Sequence, residues 1–171
     1  ATINSTTIRR IIRNLKQMLV KYLAENAKYT VNQLASMTGA DESAVAAAIK
    51  ELEDDRVILK YAAVINESES SGVDALIEVK VTPQKLKGFD ALAEELSAFT
   101  EVKSLYLMSG GFDLAVMIHG DGLSEIARFV SEKLSLIDGV TGVATHFILK
   151  KYKIEGQSTV PPRGEGRQLV L

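Results

Sequence analysis

Cysteine is absent from the 171 residues, which excludes disulfides, thiolate metal sites and cysteine nucleophiles. Histidine occurs twice, at His119 and His146, too sparsely for an imidazole metal site, so neither a metal nor a bound cofactor is expected. No apolar run approaches the ~18 residues of a membrane span, and the N-terminus carries no signal-peptide core, so a cytoplasmic protein with no membrane partner is expected. A basic excess is also missing. Twenty Lys and Arg face twenty-two Asp and Glu, and a net charge of −2 argues against wrapping nucleic acid by bulk charge. A nucleophile elbow, a phosphate-cradling glycine loop and paired catalytic carboxylates do not occur, so no catalytic residue is assigned and an enzyme is not expected. What is present is the mix of a folded globular protein, 46% hydrophobic and 25% charged, in a length that suits one domain or two small ones.

The charge is uneven along the chain. Residues 1–28 hold Arg9, Arg10, Arg13, Lys16, Lys21 and Lys28 against Glu25 alone. Residues 29–65 carry three basic side chains against six acidic, and residues 66–171 eleven against fifteen. Such asymmetry marks either a basic arm that meets an anion or one solvated helix face.

Ile8, Ile11, Ile12, Leu15, Met18, Leu19, Tyr22 and Leu23 recur at helical spacing, which predicts an amphipathic helix over 8–26 with its arginines and lysines on the opposite face. Thr30-Val31-Asn32-Gln33 has the form of a capping box and opens a short helix with Val31, Leu34, Ala35 and Met37, stopped by Gly39. Asp41 stands at an N-cap position before a third helix, whose inner side is Val45, Ala48, Ile49 and Leu52. Val57–Ile65 is β-branched and aromatic, and reads as a two-stranded hairpin. Three helices with a glycine-containing turn and a β-wing make a winged helix-turn-helix over residues 1–65.

Residues 66–72 are polar, small and without period, and read as a linker. Val73, Ala75, Ile77, Val79 and Val81 then alternate with polar positions as in a half-buried strand, ended by Pro83. A helix on Phe89, Leu92, Ala93 and Leu96 follows, then a strand over 102–108, a tight turn at 109–113 and a strand over 114–118. A second helix bears Leu123, Ile126, Ala127, Val130, Leu134 and Ile137, and a last strand covers 143–152. β-α-β thus occurs twice at nearly equal offsets. The predicted fold class is α+β: the winged head, then a ferredoxin-like βαββαβ sandwich over 73–154 for ligand sensing and oligomerisation. Residues 155–171, with Pro161, Pro162, Gly164 and Gly166, read as a loose tail.

Asn32-Gln33-Leu34-Ala35, Val45 with Ile49-Lys50-Glu51-Leu52-Glu53, Val57-Ile58, and Ser109-Gly110-Gly111-Phe112-Asp113 stand in this order before and within a βαββαβ half. So arranged, the chain resembles the Lrp/AsnC (feast/famine) family of transcriptional regulators over about residues 8–153. The resemblance implies an N-terminal DNA-binding domain and a C-terminal domain that senses an amino acid. It also implies assembly into dimers, and commonly rings of dimers, through the C-terminal domain.

The third helix departs from that family. Members usually carry arginine or serine where this chain has Ala46, Ala47 and Ala48, and often a basic residue where it has Glu51. Alanine cannot donate to a guanine edge; its methyl packs at best against a thymine methyl. Ser43, Ala47 and Lys50 are the candidate groove contacts, with Lys28, Lys60, Arg9, Arg10 and Arg13 as candidate phosphate contacts that position without specifying. About two fewer basic contacts per head lower the salt slope by roughly 0.9 each, so weak, oligomer-dependent DNA binding is expected.

In the pentapeptide 109–113, Gly110 and Gly111 permit close backbone approach to an α-carboxylate, and Asp113 suits an α-ammonium group. Ser109, Phe112 and Asp113 with both glycines are the candidate ligand loop, which matches the family's loop between strands two and three. Met108, Thr145, His146 and Phe147 are candidates to line the side-chain pocket from a neighbouring subunit. The other reading of the loop is a hairpin turn in which Asp113 caps backbone N–H groups. His119 reads as a turn histidine and Asp121 as a helix cap.

Three other function classes share parts of this pattern. An RNA-recognition module needs stacking aromatics on its two central strands, and 75–81 and 114–118 have none. The head speaks against an enzyme's regulatory subunit. A DNA-silent amino-acid sensor that modulates related regulators or an enzyme by hetero-oligomerisation is the alternative to a DNA-binding regulator. Because a four-stranded sheet has helices for only one face, the other, expected to carry Leu76, Leu105 and Leu107, requires cover from a second copy, which predicts a homodimer or a dimer-based higher oligomer.

Overall fold

The capping box at Thr30 forms. The Gln33 amide donates to Thr30 Oγ1 at 3.2 Å, and the Gln33 side-chain oxygen accepts from the Thr30 amide at 2.9 Å. The computed structural model describes residues 5–66, 72–82 and 88–160, in two compact units, Ala1–Val64 and Ile65–Leu171. In the first, α1 (Ser5–Glu25), α2 (Val31–Thr38) and α3 (Glu42–Asp54) enclose Leu15, Leu19, Leu34, Ala35, Val45, Ala48 and Leu52. Gly39 ends α2 at φ +72, and its amide donates to the Ala35 carbonyl. Asp41 occupies the N-cap of α3 in extended geometry, but its side chain makes no capping bond. Asn32 Nδ2 instead donates to Glu42 Oε1 at 2.7 Å, tying the start of α3 to α2.

The stripe on α1 is only half used. Leu15 and Leu19 are buried, while Ile8, Ile11 and Ile12 stay exposed, because α2 and α3 together are too short to cover six turns. The hairpin expected over 57–65 does not form: none of these residues is paired in a strand. Val57–Ile65 has β-propensity but no Asn-Gly or similar dipeptide to turn it back on itself. Its first residues instead close the head. The Val57 and Ile58 amides both donate to the Leu52 carbonyl, at 2.9 and 3.0 Å, and Ile58 packs on the core.

The second unit is a four-stranded antiparallel sheet, β1 (Val73–Val81), β2 (Val102–Leu107), β3 (Leu114–Gly120) and β4 (Val140–Phe147), in the order β2-β3-β1-β4. This is the expected ferredoxin-like order. Helices α4 (Phe89–Ser97) and α5 (Leu123–Glu132) are joined to Ala75, Ile77, Val79, Val81, Leu114, Val116 and Ile118 in one core by Leu96, Ile126 and Phe129. α5 stops at Glu132, short of Ile137; Lys133 leaves helical geometry, and a 3₁₀ turn at Leu134–Leu136 lowers Leu134 and Ile137 into the core. Phe99 and Phe129 meet edge to face at 5.5 Å with the Lys133 ammonium over both rings. Asp121 is not the cap of α5; Gly122 holds that position, and the Asp121 amide donates to Glu125 Oε2 at 2.6 Å.

Register corrects the expected open face. Leu105 pairs with Val116 and Leu107 with Leu114, so both lie on the helix side. Leu76 does face away from the helices, beside Met117 and His146, and Tyr106 shares that face.

The last strand, expected over 143–152, leaves the sheet after one further bond, Ile148 amide to Asp74 carbonyl at 2.9 Å. The chain then forms a small hairpin, β5 (Lys153–Ile154) with β6 (Gln157–Ser158), whose tip and second strand fall in the stretch expected to be tail. Glu155 and Gly156 at its tip have φ +45 and +81, the paired positive φ of a type I′ turn. This strap is anchored: Thr159 donates to the Tyr152 carbonyl at 3.1 Å, and Asn66 Nδ2 donates to the Thr159 carbonyl at 3.2 Å. Lys151 pairs with Asp74, which also bonds His119 Nδ1 at 2.8 Å. The rest of the expected tail (161–171), most of the expected linker (67–71) and Pro83 lie outside the described residues.

Burial acts to raise the Asp74 carboxyl, but the hydrogen bonds and charges of Lys151 and His119 outweigh it and hold the group below its ordinary 3.8. The folded protein therefore binds this proton more weakly than the unfolded chain, so the stabilisation is complete above the unfolded value and is lost as pH falls through the folded one. Urea denaturation from about pH 6 to about pH 3 is expected to show the wild type losing more stability than Asp74→Asn, whose curve is flatter because that proton is gone. Equal losses in the two proteins contradict this account.

Candidate functional site

An α-helix enters a groove with whatever its outer face carries, and that of α3 is sparse. Val45, Ala48 and Leu52 point into the head, while Ser43, Ala46, Ala47 and Lys50 are exposed. Ala48, one of three alanines at positions where the family carries arginine or serine, is thus a core residue. The Lys50 ammonium lies 2.7 Å from Asp54 Oδ2, and this hydrogen bond and charge raise its pKa. Both side chains are exposed, so solvent screens the pair and it holds Lys50 only weakly.

The acidic end of α3 draws on the basic arm. Lys16 on α1 lies 2.8 Å from Glu51 and 3.5 Å from Asp55, and its pKa is raised chiefly by the hydrogen bond to Glu51. Tyr61 donates to Glu53 at 2.8 Å. α3 ends without a basic residue in its last turn, so its own dipole disfavours these carboxylates and the contacts from α1 and Tyr61 offset that. Arg9, Arg10, Arg13, Lys28 and Lys60 are exposed. The head therefore presents a short polar and methyl-bearing helix face, with separate cations on α1, on the α1–α2 turn and past α3.

In the second unit, the loop 108–113 joins β2 to β3. The Met108 amide donates to the Asp113 carbonyl at 2.8 Å. Gly110 has φ +141, a conformation that demands glycine, whereas Gly111 has no such constraint. A Cβ on either would meet nothing within 4 Å, so the backbone here is open to an approaching group. Asp113 is bound into the sheet: its amide donates to the Val79 carbonyl at 3.0 Å, and its Oδ2 accepts from the Val81 amide at 2.9 Å. The carboxylate thus caps backbone in one direction, and Oδ1 has no hydrogen bond among the described residues.

The remaining candidates are not gathered with this loop in one protomer. Thr145 and Phe147 pair with Ile77 and Ala75 on the helix side of β4, while His146 pairs with Leu76 on the other face, 3.3 Å from Glu78. Asp113 sits at Val79 and Val81, four to six residues along β1 from Ala75, or about 13–20 Å at about 3.3 Å per residue. Phe147 instead lines a cavity of about 580 Å³ at the other end of the sheet, with Asp74, His119 and Lys151. The sequence reading missed that Asp74–His119–Lys151 chain. Alternation placed Asp74 at the start of a strand, but nothing local connects it with residues 45 and 77 positions away.

Among the described residues, no group of three or more His, Cys, Asp or Glu is placed to hold a metal ion, and no helix is long and apolar enough to cross a membrane. Residues 7–58 match the winged helix-turn-helix DNA-binding family, and residues 74–158 match the Lrp/AsnC ligand binding domain. The chain is 45% identical over 142 residues to YugG of Bacillus subtilis, an uncharacterized HTH-type transcriptional regulator, covering 81% of this chain and 86% of that one. It is 31% identical to the HTH-type transcriptional regulator LrpA of Pyrococcus horikoshii, covering 80% and 96%. A transcriptional regulator of Neisseria meningitidis, solved as a complex with L-methionine, superposes with TM-score 0.62 at 26% identity, covering 86% of this chain and 94% of that one. The two family models together cover the helix-turn-helix head and the βαββαβ unit, and the chain belongs to the Lrp/AsnC family of DNA-binding transcriptional regulators.

Proposed function

We propose that the protein is a cytoplasmic regulator that binds an amino acid at the 108–113 loop and reads DNA through paired heads of low individual affinity. The observation that carries the effector site is the open backbone of Gly110 and Gly111 beside an Asp113 carboxylate with one oxygen uncommitted. Glycine N–H groups suit the α-carboxylate and Asp113 suits the α-ammonium group. The L-methionine complex of the Neisseria regulator supports an amino acid as the ligand class. Gly111 is not held by its own backbone conformation or by neighbours, so Gly111→Ala should fold as the wild type does while its methyl blocks the ligand. A thermal-shift screen of the twenty amino acids is expected to find at least one that raises the wild-type Tm and leaves Gly111→Ala unmoved. No shift with any amino acid removes this assignment.

The loop lies at the surface of one protomer, so a second chain is needed to close the site. Leu76, Met117 and Tyr106 lie on the sheet face that α4 and α5 leave uncovered, and two such faces packed together bury it. Light scattering is expected to give at least twice the chain mass of 18.6 kDa. Met117→Glu, which puts a charge in that face, is expected to shift it toward the single-chain mass. A wild-type monomer rules out the pairing.

DNA affinity per head is limited by Ala46 and Ala47, which donate nothing, and by Lys50, which starts on Asp54. Linkage of heads restores a factor of about 10²–10⁴ when their spacing fits the operator. Ala47→Arg is expected to tighten binding in gel-shift titrations and to steepen the log–log salt dependence by about 0.9 for each added phosphate contact. The alanine-rich α3 also favours a second reading, a DNA-silent sensor that acts through related regulators or an enzyme. Absence of retardation at low salt, in both proteins, selects that one.

A further inference from the structure

The DNA-binding head contains α3 whole, and what a groove-facing helix distinguishes depends on the side chains it is free to offer. Every charged side chain of α3 has a partner. Glu42 accepts from Asn32 at 2.7 Å, Lys50 and Asp54 pair at 2.7 Å, Glu51 lies 2.8 Å from Lys16, and Glu53 accepts from Tyr61 at 2.8 Å. Val45, Ala48 and Leu52 are turned into the head.

The remaining exposed residues of the first two turns are Ser43, Ala44, Ala46 and Ala47. With 3.6 residues per turn, Ser43, Ala46, Ala47 and Lys50 fall within about 100° of one another and form one strip, with Ala44 at its margin. Ser43 is the only hydroxyl-bearing residue of α3, and a hydroxyl both donates and accepts, so it serves any base edge. The methyl groups do choose. In the major groove guanine presents two acceptors, cytosine a donor and adenine one of each, while thymine alone adds an apolar C5-methyl group. A methyl laid over an acceptor or donor strips its water and returns no hydrogen bond. Laid over the thymine methyl, it removes two apolar surfaces from water. The short alanine side chains also let the helix lie close to the base edges.

We propose, resting on the reading above in which the heads bind DNA through α3, that Ala46 and Ala47 are specificity-determining residues and select thymine by its C5-methyl group instead of by hydrogen bonds. The head then favours half-sites rich in A·T pairs and rejects G·C pairs at the same positions. Such a contact touches no phosphate and releases no counterion. Overall affinity falls as salt rises, but the preference for thymine does not.

The test uses the full chain. Duplexes are enriched by binding from a randomised library, and the enriched duplex is resynthesised with deoxyuridine in place of thymine, which removes the methyl and keeps every hydrogen-bonding group of both grooves. The enriched half-sites are expected to contain thymine. Deoxyuridine within them is expected to weaken binding about fourfold for each buried methyl, in the same ratio at low and high salt, and deoxyuridine in the flanks to change nothing. Ala46→Gly and Ala47→Gly are each expected to shrink the thymine-to-deoxyuridine ratio toward one. That ratio is read on a single protein, so a loss of stability does not imitate the effect. Equal affinity for the two duplexes, or enriched half-sites built on guanine, overturns the proposal and leaves DNA binding through α3 standing. Retardation of no duplex at low salt overturns both together.

Discussion

Burial of one edge-paired strand on both sides organises the ligand-binding unit. Ala75, Ile77, Val79 and Val81 of β1 point into the core, and β1 takes β3 on one side and β4 on the other. A one-residue slip in either pairing would bring Asp74, Glu78 and Lys80 into that core, which the cost of burying unpaired charge forbids. With the register set, each end of β1 anchors a separate group of polar contacts. Its far end holds Asp113 through Val79 and Val81 and so positions the 108–113 loop proposed to bind the effector. Its near end holds Asp74, which pulls in His119 from β3 and Lys151 from the strap.

The head is built on a different balance. Its core is small, and its surface is organised by charges that neutralise each other more than they await a ligand. Lys16 bridges α1 to Glu51 and Asp55, and Lys50 folds back on Asp54. These contacts steady the acidic end of α3 against its own dipole. The second contact also engages Lys50, the cation on the outer face of α3. The proposed reliance on paired heads follows from this, because avidity multiplies weak contacts where a single head has few strong ones.

Assembly in turn is asked for by the sheet. The helices cover one face; Leu76, Met117 and Tyr106 lie on the other, and the effector loop lies at the surface of one protomer. Under the proposed pairing, one interface would serve stability and sensing together, since the contact that buries this face would also bring a neighbour toward the 108–113 loop. Thr145, His146 and Phe147 lie on two faces of β4 and away from the loop of their own chain, so any part they have in that pocket belongs to such a neighbour.

Periodicity and local turn chemistry were legible without coordinates. Alternation at 73–81 named the strand and its inward residues, the Thr30 capping box and Gly39 bounded α2, and the doubled β-α-β order implied the sheet. These are short-range properties, set by pleat, helical turn and the φ that glycine tolerates. What depended on distant partners was not. Alternation gave Leu105 and Leu107 no sign of which face they would take; pairing with Val116 and Leu114 decided it. Val57–Ile65 had strand-forming residues but no turn with which to pair, and so stayed irregular. The ion pairs of Lys16 and Asp74, the anchoring of Asp113 on β1 and the cavity under the strap join residues tens of positions apart, and such contacts exist only once the chain has folded around them.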